Sequence, residues 1–584
     1  AYDSANGTTV RDTNTGSLGA GGTVGVDGLT LSQVARPELE VSGTAAIPVG
    51  FDLQASGCTV RRFALRGFGS TPGADASANV RVGNNFTGTL VEANFLGLVA
   101  NAATFTTGAA SSAGDNVRSV GADSGTLRNN LVGFSGGKGV SLGSGSTGWL
   151  VENNEVRYNG VGNSNMDGLD VENTSGNNTV RGNLFVGNEG AGVDMNSSSG
   201  GNTVENNTVT GNGIGAGATV ESPGVRVYGT GNTVSRNIVN ANFGAGVMVT
   251  SGAASNVITR NSIYANGTIT NKSGAGPSGQ VGIDLLGAAN NQSVGTAPFV
   301  TLNDAGDADA GGNGLLNFPV FTSARVLGGN LTLSGYAAPG SDIEIFVAAA
   351  DPSGFGEGQT YVLTLAEGSA ADTDAGSGTY TSPVNGLTVG TDTTNRFAFT
   401  VALPPGVAIG TVLTATATRG GATSEFSGNV TVAAAPPSVS LQKACTAPAD
   451  CTTAAQKPGT ELTYTITLSN TGGQAAQNLF VVDIVPFSVD LVNSQIVRST
   501  EFKVGSMAFD PQTSALTFPA GGAKYFSDAI AFPAPAPPWA PATAYAPGGA
   551  AGTFDPAVTY VGWQLGGSLA PGATATVSFT VRIR

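Results

Sequence analysis

The sequence predicts an all-β protein, a solenoid of short stacked coils followed by two β-sandwiches. Three observations predict it. An apolar residue followed three positions later by Asn recurs through the first half, at a shortest spacing of 24 residues. A second block of alternating apolar residues follows most of these units. From about Leu315 the text changes to longer alternating runs separated by turn residues.

Composition narrows the functions. Gly is 88 of 584 residues and charged residues are 11%, against about 25% in an ordinary soluble protein. Histidine is absent, which excludes His-based acid–base chemistry, Ser-His-Asp triads and His metal sites. The net charge is −15 with no Lys/Arg cluster, so no nucleic-acid partner is expected. No apolar run is long enough to span a bilayer, and no membrane span is expected. The chain opens at Ala1 without a charged-then-apolar leader, which reads as a mature, secreted, extracellular or cell-surface chain.

Residues 1–30 are Gly/Thr-rich and read as an N-terminal extension serving assembly. The solenoid is placed at 31–300. Its repeat ends at Asn94, Asn130, Asn154, Asn183, Asn207, Asn237 and Asn261, with gaps of 36, 24, 29, 24, 30 and 24 residues. VRRF, Val60 to Phe63, fits one unit earlier with Phe in place of Asn. Four units carry a finer Asn-x4-Asn-x4-Asn pattern, as in Asn178, Asn183 and Asn188. GLDV, GVDM, GVRV, GVMV and GIDL, starting at Gly168, Gly192, Gly224, Gly246 and Gly282, form the second block. One such coil cannot bury its own apolar face, but stacked coils align Val, Ile and Leu into a continuous core. Asn154, Asn183, Asn207, Asn237 and Asn261 are expected to stack as an amide ladder at equivalent corners.

This pattern resembles the right-handed parallel β-helix repeat of the pectate-lyase-like superfamily, over roughly residues 30 to 300. The resemblance implies that fold and leaves function open, because the same solenoid hosts lyases, hydrolases, adhesins and surface fibres. Its enzymes need converging acids on one face, or calcium with a basic Arg or Lys. The candidates are Asp167, Asp170, Asp194 and Asp284. Asp170 and Asp194 hold equivalent places in adjacent units, where carboxylates would stack about 5 Å apart and share a proton or a metal. Arg226 and Met248 hold that place in the next two units, which reads as an outward strand position with no fixed task. Arg157 and Arg181 would serve a lyase only opposite a calcium cage, and the sequence shows none. No catalytic residue is therefore expected.

Residues 301–432 are read as an acidic junction loop and a sandwich. Asp304, Asp307, Asp309 and Asn313 crowd a Gly-rich loop, and oxygen ligands of this kind suit Ca²⁺ in a structural role. DPSGFGEGQTYV and TATATRGGATSEFSGNV resemble the immunoglobulin-like module of large bacterial surface proteins. A Pro/Ala linker occupies 433–437. Within 438–584, KPGTELTYTITLSNTGGQAAQNLFVVDIVP and LAPGATATVSFTVRIR resemble the conserved-repeat sandwich of bacterial cell-surface proteins, domain of unknown function eleven. Cys445 and Cys451 are six apart and close as a disulfide if their Cα atoms come within about 7 Å. Cys58 reads as a buried structural thiol. A proline-rich stretch carries Trp539 and Tyr545 as candidate assembly contacts.

The function expected from these parts is a non-enzymatic structural protein of the bacterial cell surface. It would be its own partner, assembling head-to-tail into a filament, sheath or layer. The alternatives are an adhesin binding a cell-wall or extracellular glycan, and a polysaccharide lyase or hydrolase.

Overall fold

The computed structural model describes residues 37, 39–99, 112–163, 165–196, 198–216, 221–489, 492, 496–527 and 544–584, with short strands at Tyr2–Asp3, Thr8–Val10 and Thr30–Leu31. Trp539 and most of residues 1–30 lie outside the described residues. Among those described, strands dominate, no helix is long and apolar enough to cross a membrane, and one 3₁₀ turn occurs at Gly312–Leu315. The chain forms two compact units: residues 1–324 with 331–432, and 325–330 with 433–584.

In the first unit three parallel sheets stack coil upon coil. The first runs from Leu39–Ser42 to Ser262–Tyr264, the second from Val49–Leu53 to Ile283–Leu285, and the third from Thr59–Arg61 to Val257–Thr259. Each strand turns one residue in and its neighbours out, the period of two that the sequence shows. In the third sheet Val91, Leu127, Val151, Val180, Val204, Val234 and Ile258 stack in register with almost no exposure. Such columns can bury only by stacking, so each coil is stabilised by the next.

Three amide ladders run through the corners. In the first, Nδ2 of each Asn donates to Oδ1 of the next through Asn94, Asn130, Asn154, Asn183, Asn207, Asn237 and Asn261, at 2.9–3.0 Å. The second links Asn79, Asn116, Asn159, Asn188, Asn212, Asn242 and Asn266. The third links Asn178, Asn202, Asn232 and Asn256. Every ladder donates toward the C-terminal end, so its last rung needs an acceptor.

Asn261 donates back to Val234 O, and the following module supplies acceptors for the other two ladders and for backbone N–H groups at that end. Glu357 Oε1 accepts from Asn266 N and Nδ2, both at 3.0 Å. Asn313 Oδ1 accepts from Asn256 N at 3.0 Å and its Nδ2 donates back to Asn256 O at 2.8 Å. Glu344 accepts from Arg260 N, and Glu425 accepts from Leu285 N and Thr301 N. Phe346 and Phe426 close the apolar core at the same end. Asn313 is thus a ladder rung, which corrects its reading as a calcium ligand.

The outward row of the third sheet alternates in charge: Arg61, Glu92, Arg128, Glu152, Arg181 and Glu205 are paired in register. Glu92 lies between Arg61 and Arg128 at 3.4 and 3.0 Å, and Glu152 pairs Arg181 at 2.9 Å. Alternation lets each carboxylate face two cations, and a slip of one coil would oppose like charges. Glu152→Lys sets three cations side by side. We expect a loss of about 1 kcal/mol in urea titrations at low salt, shrinking at high salt. An unchanged midpoint at low salt would refute the ladder's contribution.

The remainder of the first unit is antiparallel, with one sheet holding Asp342–Ala349 between Glu357–Ala366 and Val412–Arg419. The second unit packs Glu461–Asn470 and Thr574–Ile583 over a core containing Trp563, Phe502 and Phe579. Cys445 and Cys451 are joined by a disulfide, with Cα atoms 6.2 Å apart. Tyr545 packs on its own module, where its hydroxyl donates to Asp555 at 2.8 Å. Cys58 is a free thiol and half-buried, not buried.

Candidate functional site

Stacking in the second sheet turns separate sequence positions into one row. Arg118, Ser141, Asp170, Asp194 and Arg226 are successive register partners on Asp115–Val120, Val140–Gly143, Leu169–Val171, Val193–Met195 and Val225–Val227. Leu169 and Val171 point into the core, which forces Asp170 outward, and the same alternation places Asp194 and Arg226. Met248 and then Asp284 continue the row. Met248 packs with Ala245 and Leu286, so Asp284 is cut off from the others.

The turns before and after these strands complete the cluster. Lys138 pairs with Asp170 and, at 2.8 Å, with Glu172. Arg118 reaches Asp115 and Asp75 at 2.8 Å each and Glu172 at 3.0 Å. Ser141 Oγ donates to Glu172 at 2.8 Å. Arg226 bonds Asp194 and Glu221 at 3.0 Å each. Asp167 enters from the turn ahead of its strand and accepts from Ala191 N at 2.7 Å. One oxygen from each of Asp167, Asp170 and Asp194 lies within 4.8 Å of the other two. All three residues are 1% exposed. Asp167 Oδ2, Asp170 Oδ1 and Asp194 Oδ1 accept no hydrogen bond from the described residues.

Carboxylates outnumber cations here, and the electrostatics follow. Burial pushes Asp170 up to about 7 against the pull of Lys138, with Asp194 and Glu172 adding to the rise. Burial pushes Asp194 up to about 6 against Arg226. Burial and the charges of Glu221, Asp194 and Asp170 hold Asp167 well above the usual carboxylate range. Burial works to raise Glu172 too, but Lys138 and Arg118 hold it below its ordinary value. Three crowded carboxylates relieve their repulsion by sharing a proton or by holding a hard divalent cation such as Ca²⁺, for which an all-oxygen set is suited.

The sequence singled out four aspartates, and the structure unites Asp167, Asp170 and Asp194 and separates Asp284. It also adds Lys138, Glu172, Glu221 and Arg118, which the sequence reading passed over, and Arg226, which it read as idle. The signal was present: in-register coils put Arg226 beside Asp194, so the change from Asp to Arg marks a charge pair, not an idle position. Arg181 pairs with Glu152 on the third sheet, and Arg157 lies buried beside Glu155 on the first. Neither faces the trio across a shared strand. In the acidic loop Asp307 accepts from Asn317 N at 2.8 Å and Asp304 from Ala308 N at 3.1 Å, while burial and the charges of Asp304 and Asp307 raise Asp309 to about 6.

Residues 56–223 and 116–296 match the family model described as right handed beta helix region. No curated protein matches the chain in sequence. Among solved structures, the chain is similar to an alginate lyase from Paenibacillus sp. str. FPU-7, at 14% identity and TM-score 0.23, covering 38% of this chain and 87% of that one. It is similar to the A-module of a mannuronan C-5 epimerase of Azotobacter vinelandii at 12% identity and TM-score 0.27, covering 41% and 58%. It is similar to tailspike protein 2 of an Escherichia coli O157:H7 bacteriophage at 12% identity and TM-score 0.28, covering 72% and 57%. These likenesses concern the fold.

The expectation of a non-enzymatic structural protein is corrected here. The expectation rested on acids failing to converge, and in this chain three of them meet.

Proposed function

We propose that this chain is a polysaccharide-active enzyme whose site is the charged row of the second sheet. The observation that carries the reading is the trio Asp167, Asp170 and Asp194, buried, with carboxylate oxygens within 4.8 Å of one another and flanked by Lys138 and Arg226. Cleavage of a glycosidic link needs one group to give a proton to the leaving oxygen and another to take one, from water or from the sugar. Carboxyls raised toward neutrality can be divided between those roles at one pH. Asp170 and Asp194, register neighbours each held by a cation, are assigned as the acid–base pair, one giving the proton and the other taking it. Lys138 holds Asp170 in place and lends positive charge at the mouth of the site, where Glu172, Glu221 and Asp75 retain exposure.

We read the setting as extracellular, supported by the Cys445–Cys451 disulfide. We read the antiparallel modules as immunoglobulin-like and conserved-repeat surface domains, supported by their sandwich pairing.

The test is incubation of the purified chain with alginate, pectate and neutral glucans, with and without Ca²⁺. Unsaturated ends report elimination and reducing ends report hydrolysis. We expect one of the two to accumulate, and to do so far more slowly in Asp170→Asn. No product from any polymer, or equal product from the variant, would overturn the assignment.

A further inference from the structure

We propose a second sugar-binding site, on the C-terminal unit, that holds a uronic acid residue. It deepens the functional reading above by naming a docking point for an anionic polymer, and it rests on that reading for the ligand class. The site lies on the sheet formed by Phe480–Ile484, Tyr560–Gln564 and Ala523–Phe526, where register pairs Phe480 with Gln564 and Lys524 with Gly562. A cavity of about 480 Å³ opens there, in the range of small-ligand sites.

Its chemistry is that of a pyranose pocket. Phe480 is 47% exposed although it is aromatic, and Phe526 stands at the same cavity. A Cβ at Gly562 would lie 2.9 Å from the Phe480 ring and 3.5 Å from the Lys524 stem, so the glycine leaves room for both to lie across the strand. The ring therefore presents a broad apolar face of the kind that packs against the C–H face of a sugar. Asn478 and Gln564 line the same cavity and bring side-chain amides that both donate and accept, as hydroxyl recognition requires. Lys524 is the cation of the lining, and no carboxylate is among the lining residues. No ion-pair partner for Lys524 exists among the described residues, in a chain whose net charge is −15. An unpaired ammonium beside an aromatic face and two amides is complementary to a sugar that carries a carboxylate.

The experiment is titration calorimetry of the full-length chain with short oligouronates and with neutral gluco-oligosaccharides of equal length. It uses the Asp170→Asn background, so that the ligand is not consumed. We expect oligouronate binding that weakens roughly tenfold or more in Phe480→Ala. Lys524→Ala should erase the preference for the charged over the neutral sugar. Binding unchanged by Phe480→Ala, or no preference in the parent, would overturn the site. So would concentration-dependent association of the chain, seen by light scattering and abolished by Phe480→Ala, because it would assign the patch to a second copy. The two proposals fail separately. Loss of binding in Phe480→Ala without any polymer cleavage by the parent upholds this site and removes the enzyme, and cleavage without Phe480-dependent binding does the reverse.

Discussion

Asn207→Ala is expected to destabilise the solenoid by about 3 kcal/mol or more, several times the effect of a surface charge. Asn207 Oδ1 accepts from both N and Nδ2 of Asn183 at 2.9 and 3.0 Å, and its Nδ2 donates to Val180 O at 2.9 Å and Asn237 Oδ1 at 3.0 Å. All these atoms are buried. Alanine removes the acceptor of the Asn183 N–H and the donor to Val180 O, and it leaves a void too tight for easy repair. A buried group stripped of its partner costs about 1–3 kcal/mol, and more than one is stripped here. Coils hold only their neighbours, so the damage is a break in the middle of the rod and not a frayed end. Urea titration by circular dichroism, with limited proteolysis to locate the opening, measures it. A loss below that of Glu152→Lys would mean that the ladder is incidental.

The ladder was legible in the text because its cause is strictly periodic. An amide bonds its own kind one coil away only if every coil places it at the same corner, and that demand writes Asn at fixed intervals. Val and Ile columns obey the same constraint. The capping acids were not legible. Glu357 terminates one ladder, and Glu344 and Glu425 cap backbone N–H groups of Arg260, Leu285 and Thr301, all from a module far along the chain, and no period links Asn266 to Glu357. Asn313 was misassigned for a related reason. Its neighbours Asp307 and Asp309 suggested oxygen chemistry, but its partner is Asn256, which the sequence places in another element.

The site was half legible. Period two and the coil register were enough to stack Asp170 on Asp194. What misled was the assumption that a functional position must repeat its residue. In a solenoid each coil occupies a different place along a groove, and a polymer lying across several coils meets a different residue on each. Variation along the row from Arg118 through Asp170 and Asp194 to Arg226 is what a charged site requires. Lys138, Glu172 and Glu221 come from turns, whose positions relative to the strands depend on loop geometry that no short repeat encodes.

Replacing Asp170 or Asp194 by asparagine should slow turnover about 10²- to 10⁴-fold, the usual loss when a positioned acid or base is removed, and should make the protein more stable above neutral pH. Burial raises both carboxyls from the ordinary 3.8, to about 7 for Asp170 and about 6 for Asp194. A carboxyl that holds its proton more tightly when folded stabilises the fold fully below its unfolded value. That contribution fades as pH rises through the folded value. The parent chain should therefore lose stability between about pH 4 and 7 on account of this pair. Each asparagine cannot ionise, so its variant escapes part of that loss. In Asp170→Asn the new amide also brings a donor to the orphaned oxygens of Asp167 and Asp194, while Lys138 keeps Glu172. Melting curves at about pH 3.5 and pH 8, run beside the polysaccharide assay, should show the variants level with the parent at the lower pH, which lies below the unfolded carboxyl value, and above it at the higher. A variant that melts earlier at pH 8 would make the trio a structural brace. One that melts later and still turns over at the parent's rate would place the chemistry elsewhere. Later melting together with lost turnover is the pattern of a site that carries electrostatic strain in order to work.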